Sequence, residues 1–146
     1  DRIVVGECRG GEALDMLQAM NTGHDGSMTT THANSPPEAL ARVETLVLMA
    51  GVDLPSRAIR EQIASSIHLI VQIARYADGT RRLNEISEVT GIEDGEIMTR
   101  PIFEYVRTGT GDKQAVLGFH RATGYLPSYL DAFILQGLVK KGEPYL

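Results

Sequence analysis

Two side chains near the start of this sequence have the types and positions that acid–base chemistry needs. Glu7 follows the apolar run Ile3-Val4-Val5 and Gly6, and His32 closes "SMTTTH", residues 27–32. In an open parallel sheet, ligands bind beyond the carboxyl ends of the strands. If both runs are strands of one sheet, Glu7 and His32 reach the same rim. A carboxylate there can polarise a water, and a histidine can orient that water or hydrogen-bond charge developing on a phosphate. The plainer reading of Glu7 is a solvated acid at a strand end, or a partner for the helix that begins after Gly11. Arg9, two residues on, can reach a phosphate or pair with Glu7 or Glu12.

Other candidates are weaker. His24 and His32 flank the second run, and Asp25 sits beside the first of them. The spacing is neither HxH nor HExxH, and a strand would hold the two rings at opposite ends. A metal site is therefore not expected, and His24 reads most simply as a loop histidine. "RTGTGDKQ", residues 107–114, imitates a phosphate loop, but no second Gly directly precedes its Lys and no Ser or Thr follows it. A Gly-rich hairpin turn explains it better. Cys8 lies inside an apolar strand beside an acid, surroundings that raise a thiol's pKa, so a nucleophilic role is not expected.

The elements that must position Glu7 and His32 follow from periodicity. Residues 2–8 read as a short buried strand. Residues 11–21 have Ala13, Leu14, Leu17 and Met20 at helical spacing, and Thr22-Gly23 ends the helix. Residues 27–32 are rich in β-branched Thr and read as a second strand. Strand, helix, strand is a βαβ unit, whose strands lie parallel. Ser35 and Glu38 then have capping-box spacing, with Pro36 at the first helical position. Leu40, Val43, Leu46 and Val47 form that helix's buried stripe, and Gly51 stops it. A third helix spans residues 55–66, with Ile59 and Ile63 one turn apart.

After residue 66 the period changes. Residues 67–76 and 81–89 read as strands around an Asp78-Gly79 turn. "EIMTRPIFEYV" is a further strand, open to a break at Pro101; residues 114–120 are another; residues 127–137 form a short terminal helix stopped by Gly137. The expected class is α/β: a βαβ part over 1–66, then a β-rich part over 67–146 that extends the first sheet. A separate second domain is not expected, because so short a segment forms only a small core.

Composition bounds the partners. The 146 residues fit one domain, and no apolar run approaches the length that spans a bilayer. The net charge of −5, with acids and bases mixed along the chain, argues against nucleic acid as the main ligand. The single cysteine excludes an internal disulfide and suits a reducing compartment. There is no leader pattern, and the missing initiator Met makes the chain read as a piece of a longer protein.

"IVVGECRGGEALDMLQAMNTGHDGSMTTTHANSPPEALARVETLVLMAG" resembles the second half of the secretion-superfamily ATPases, the hexameric P-loop motors of type II and type IV secretion and of pilus assembly. The likeness is strongest to the tight-adherence pilus and conjugation-type branch. "IVVGECRG" resembles the family's Walker B segment, with its acid at Glu7 and its arginine at Arg9. "TGHDGSMTTTHANS" resembles the histidine box, with its histidines at His24 and His32. "IARYADGTRRLNEISEV", "IFEY" and "HRATGYLPSYLDAFILQG" resemble the later part of that branch. The Walker A loop, the Asp box and the N-terminal domain of the family have no counterpart here.

The resemblance implies half of a RecA-like P-loop ATPase domain. It implies ATP and Mg²⁺ in the full-length parent, with Glu7 polarising the attacking water and His32 contacting the γ-phosphate and linking hydrolysis to domain motion. Gly6, Arg9 and His24 would touch the nucleotide or the Mg²⁺ shell. It further implies a homohexamer, cytoplasmic and peripheral at the inner membrane face, acting on a secretion or pilus platform protein without nucleic acid. A competing reading is a non-catalytic α/β domain that keeps the fold and docks to that platform; a more distant one is a metal-dependent hydrolase. A G-x-x-x-x-G-K-[ST] loop upstream in the parent separates the motor from the docking domain.

Overall fold

The computed structural model describes residues 1–51 and 53–140. In chain order its main elements are β1 (Val4–Val5), α1 (Glu12–Asn21), β2 (Met28–Thr29), α2 (Pro36–Met49), α3 (Ser56–Ser66), β3 (Leu69–Arg75), β4 (Arg81–Glu93), β5 (Glu96–Thr110), β6 (Val116–Ala122) and α4 (Leu130–Leu135). β1 and β2 form a parallel pair, and a separate antiparallel sheet runs in the order β3-β4-β5-β6. The chain makes two compact units. One comprises Asp1–Ile70 and Val89–Thr99; the other comprises Val71–Glu88 and the described residues from Arg100 on. No described helix is long and apolar enough to cross a membrane.

In the first unit the core is built by three helices. Ala13, Met16 and Leu17 of α1, Leu40, Val43, Leu46 and Val47 of α2, and Ile59 and Ile63 of α3 are buried together with Cys8 and Val89. Each fully buried aliphatic side chain contributes about 1.5–3 kcal/mol of transfer free energy. The expected stripes of α2 and α3 are the observed ones. In α1 the stripe is rotated: Met16 is buried, while Leu14 and Met20 are only partly so, because the helix meets both α2 and α3. At the start of α2, Ser35 Oγ accepts the Glu38 N–H at 3.3 Å and Pro36 takes the first turn.

Strand β1 departs from expectation. Its ladder covers only Val4 and Val5, registered on Met28 and Thr29, and it is not buried: Val4 is 68% and Met28 56% exposed. A two-stranded sheet gives each strand one neighbour, so the remaining edge and face stay open. The expected extension of this sheet by the β-rich part is also corrected. The later strands form their own sheet, because strands joined by hairpins satisfy one another's N–H and C=O groups in sequence.

The first hairpin turns at Asp78-Gly79 as expected, with Tyr76 N–H donating to Thr80 O at 2.8 Å and Gly79 at φ +82°. β4 continues to Glu93 rather than stopping at 89. The dipeptide Asp94-Gly95 supplies the next turn, with φ of +50° and +82°, the signature of a two-residue type I′ hairpin. β5 runs through Pro101 without a break, and β6 begins at Val116 because Lys113 and Gln114 hold positive φ in the preceding turn. The terminal helix is shorter than expected, Leu130–Leu135.

Within the second unit a buried carboxylate fastens the segment before α4. Glu88 is 3% exposed; it accepts Tyr125 Oη–H at 2.7 Å, Ser128 N–H at 3.1 Å and the Ser128 hydroxyl. Burial pushes its carboxyl up, but these donors outweigh that and hold it below the usual range. Asp78 does comparable work at the first hairpin. Its carboxylate accepts the Thr80 hydroxyl at 2.6 Å and the Val116 N–H at 2.8 Å.

Candidate functional site

The parallel pair places Glu7 and His32 side by side. Met28 N–H donates to Ile3 O at 3.0 Å and Cys8 N–H to Thr30 O at 2.8 Å. Both strands therefore point their carboxyl ends at one rim, β1 leading into Gly6-Glu7 and β2 into Thr30–His32. There His32 Nε2 stands 3.0 Å from Glu7 Oε1, and the Arg9 guanidinium is paired with Glu7 Oε2. The Glu7 side chain is 24% exposed and that of His32 82%, so the acid is sheltered and its histidine partner faces solvent.

The electrostatics follow from these contacts. The hydrogen bond from Arg9 holds the Glu7 carboxyl below its usual value; partial burial opposes this, and Arg9's charge and His32 add to it. Glu7 is thus held as a carboxylate, whose lone pairs can accept hydrogen bonds from further donors. Cys8, next in sequence, is buried in the helical core and its thiol is pushed up by that burial, which disfavours the thiolate while the core stays closed.

The loops beyond the strands are tied down. Thr30 Oγ1 donates to Gly6 O at 2.6 Å, joining the two strand ends. Glu12 Oε1 accepts the N–H groups of Arg9 at 2.7 Å and Gly10 at 3.0 Å. Arg9 therefore divides its bonding: the guanidinium goes to Glu7 and the backbone N–H to Glu12. On the other loop, Glu38 Oε2 accepts Asn34 N–H at 3.1 Å and Asn34 Nδ2–H at 3.0 Å. The hydroxyl of Thr31, beside His32, is buried without a hydrogen-bond partner.

The remaining sequence candidates lie elsewhere or leave space. His24 precedes β2, at the end of the pair away from Glu7, and its Nδ1–H donates to Ala19 O at 3.1 Å. The structure does not bring it to Glu7 and His32. Gly6 has open space where a Cβ would stand, so a ligand can approach the backbone there. Among the described residues no three His, Cys, Asp or Glu groups converge on a metal-sized position. One carboxylate, already shared by Arg9 and His32, does not make a Mg²⁺ site of its own.

Thr30 was not legible as part of this arrangement; in the sequence Glu12 reads only as a partner for Arg9 and Glu38 only as the capping partner of Ser35. The Thr run signals a β-strand, and only the pairing reveals that one hydroxyl ties the strand ends. For Glu12 and Glu38 the available signal was their place in the first turn after each loop.

Both the sequence and the fold match known proteins. The family model described as "Type II/IV secretion system protein" matches residues 1–110. A putative conjugal transfer protein of Mycobacterium tuberculosis is 41% identical over 117 residues, covering 80% of this chain and 32% of the relative. The conjugal transfer protein TrbB of Rhizobium radiobacter is 41% identical over 99 residues, 68% of this chain and 29% of the relative. The chain thus spans about a third of the length of the curated relatives it matches. The crystal structure of the VirB11 ATPase from the Brucella suis type IV secretion system, in complex with sulphate, superposes with a TM-score of 0.56 at 34% identity; the match covers 60% of this chain and 27% of that one. With three quarters of its length matched to the family and its fold shared with a solved member of a type IV secretion system, the chain belongs to the type II/IV secretion system protein family.

Proposed function

We propose that this chain carries the water-activating half of an ATPase site, in a protein that powers type IV secretion or conjugal transfer. The observation that carries the proposal is the Glu7 carboxylate at the strand rim, with His32 Nε2 at 3.0 Å and Arg9 on its other oxygen. The similarity to a VirB11 ATPase supports the same reading.

Glu7 accepts a proton from the water that attacks the γ-phosphate, as the bond to the leaving ADP breaks. A carboxylate has about four acceptor positions, so its pairs with Arg9 and His32 leave room for that water. His32 is exposed enough to move from Glu7 to a γ-phosphate oxygen, where a donor stabilises charge in the transition state. Arg9 keeps Glu7 ionised and oriented. The chemistry is assigned to residues 1–66; the open backbone over Gly6 is the approach for nucleotide.

This sequence holds no G-x-x-x-x-G-K-[ST] loop. The phosphate contacts are therefore assigned to a loop of the full-length parent, where Mg²⁺ would supply charge stabilisation on the phosphates. The parent works as a homo-oligomer at the inner membrane face, against a platform protein. The test is a pair of assays on Glu7→Gln in the full-length parent: hydrolysis is lost and ATP binding retained. Turnover near that of the wild type overturns the proposal.

A further inference from the structure

Two carboxylates outside the rim behave alike. Glu12 and Glu38 each lie in the first turn of the helix that follows a strand of the parallel pair. Each turns back, out of its helix, onto the loop that carries one side chain of the site. A single oxygen of Glu12 accepts both Arg9 N–H and Gly10 N–H. A single oxygen of Glu38 accepts both the backbone N–H and the side-chain amide of Asn34.

Ordinary helix capping does not account for this. A capping side chain accepts from the orphan N–H groups of its own first turn. Arg9 and Gly10 precede α1, whose N-cap position, Gly11, has no side-chain cap. In α2 that service is already performed by Ser35, which accepts the Glu38 N–H; in a capping box the Glu38 carboxylate would return to Ser35 N–H. It reaches instead one residue further, to Asn34, two residues from His32. The backbone N–H groups of Arg9, of Glu12 itself and of Gly10 hold the Glu12 carboxyl below its usual value, and two of the three lie outside the helix.

We propose that Glu12 and Glu38 are paired positioning residues, which set the Glu7–His32 contact from the two helix starts. Glu12 holds the Arg9-Gly10 turn so that the Arg9 guanidinium meets Glu7. Glu38 holds Asn34 so that His32 stays at the rim. The roots of the two loops are joined by Thr30 Oγ1–H to Gly6 O and by Cys8 N–H to Thr30 O. Glu7 and His32 thus each sit between a tie to the other strand and a tie to a helix. The positioning role of Glu12 and Glu38 in turnover rests on the ATPase reading; the holding of the loop does not.

The test uses the chain's one cysteine as a reporter that is independent of activity. Cys8 is 1% exposed and lies between Glu7 and Arg9, so release of the loop opens it to a thiol reagent. In the 146-residue chain, Glu12→Ala should speed labelling by about tenfold or more, since labelling follows the locally open population. Glu12→Gln should label like the wild type, because the amide oxygen replaces the one oxygen in use.

In the full-length parent, Glu12→Ala should lower kcat by about tenfold with KM for ATP within about threefold, as expected when an interaction of the reacting state is lost. Glu12→Gln should recover most of that loss. Glu38→Ala and Glu38→Gln should split in the same way. Unchanged Cys8 labelling in Glu12→Ala overturns the holding role. Wild-type kcat in Glu12→Ala and Glu38→Ala, or a rise in KM alone, overturns the positioning role. If Glu7→Gln proves fully active the ATPase reading fails, and the labelling still decides whether Glu12 holds the loop.

Discussion

His32 Nε2 lies 3.0 Å from Glu7 Oε1, although 24 residues separate Gly6 from the Thr30 hydroxyl that ties their two strand ends. The contact joins two loops that leave adjacent parallel strands in the same direction. An acid with an arginine on one oxygen and a histidine on the other is kept ionised, and the histidine remains open to solvent. The two residues differ in access: the Glu7 side chain is 24% exposed and that of His32 82%.

That difference makes the two residues separable by mutation. Glu7→Gln in the full-length parent should reduce ATP turnover by about a hundredfold or more, the range for a lost general base. ATP binding should stay within a fewfold of the wild type. Paired turnover and equilibrium-binding assays decide the point.

His32→Ala should lower turnover more than it weakens ATP binding, because a side chain meeting only the γ-phosphate acts mainly on the reacting state. His24→Ala should do less, since its ring is engaged with Ala19 O at the other end of the strand pair. A larger effect at His24 would reverse the assignment of the two histidines.

The helical core carries the stability of the first unit. Ile63 is fully buried among α1, α2 and α3 side chains. Ile63→Ala should lower stability by about 2–5 kcal/mol, the transfer loss plus the cavity left behind. Urea denaturation followed by circular dichroism measures it; a loss below about 1 kcal/mol would mean that the helices close over the gap.

Acid should loosen the second unit first at its hydrogen-bonded carboxylates. The Thr80 hydroxyl, with the Val116 and Thr80 N–H groups, pulls the Asp78 carboxyl down to about 2, and Glu88 is likewise held low. A depressed folded-state pKa stabilises above the unfolded value and the contribution is lost as pH falls through the folded one. Stability should therefore hold down to about pH 4 and decline from there toward about pH 2. Asp78→Asn should be less stable at neutral pH and show a shallower acid decline in denaturation curves recorded across that range.

The 146-residue chain on its own should neither bind nor hydrolyse ATP. Glu7 and His32 cannot replace the backbone cradle and Lys of a phosphate loop. It should also self-associate, because Val4 and Met28 expose apolar surface on an open strand edge. Calorimetry with Mg-ATP and light scattering test both statements. Micromolar ATP affinity would move the phosphate site into this chain, and a monomer at high concentration would show that the exposed edge is inert.

Local regularities made the three helices and the first hairpin legible in the sequence. Ile59 and Ile63, or Leu40, Val43, Leu46 and Val47, declare a helix and its buried face, because a 3.6-residue period needs no knowledge of the partner. Asp78-Gly79 declares a turn because Gly tolerates positive φ, and Asp94-Gly95 carried the same signal. The common rim of Glu7 and His32 was legible too, since a βαβ unit makes its strands parallel. Their direct contact was not, nor was the choice of Arg9 to give its side chain to Glu7 and its N–H to Glu12. Those depend on the course of two loops whose ends are fixed by bonds between strands and helices. The Glu88 anchor to Tyr125 and Ser128, 37 and 40 residues away, leaves no periodic trace for the same reason. The exposure of Val4 likewise was decided by tertiary structure: an apolar run says that a strand can be covered, while only its neighbours in space determine whether it is.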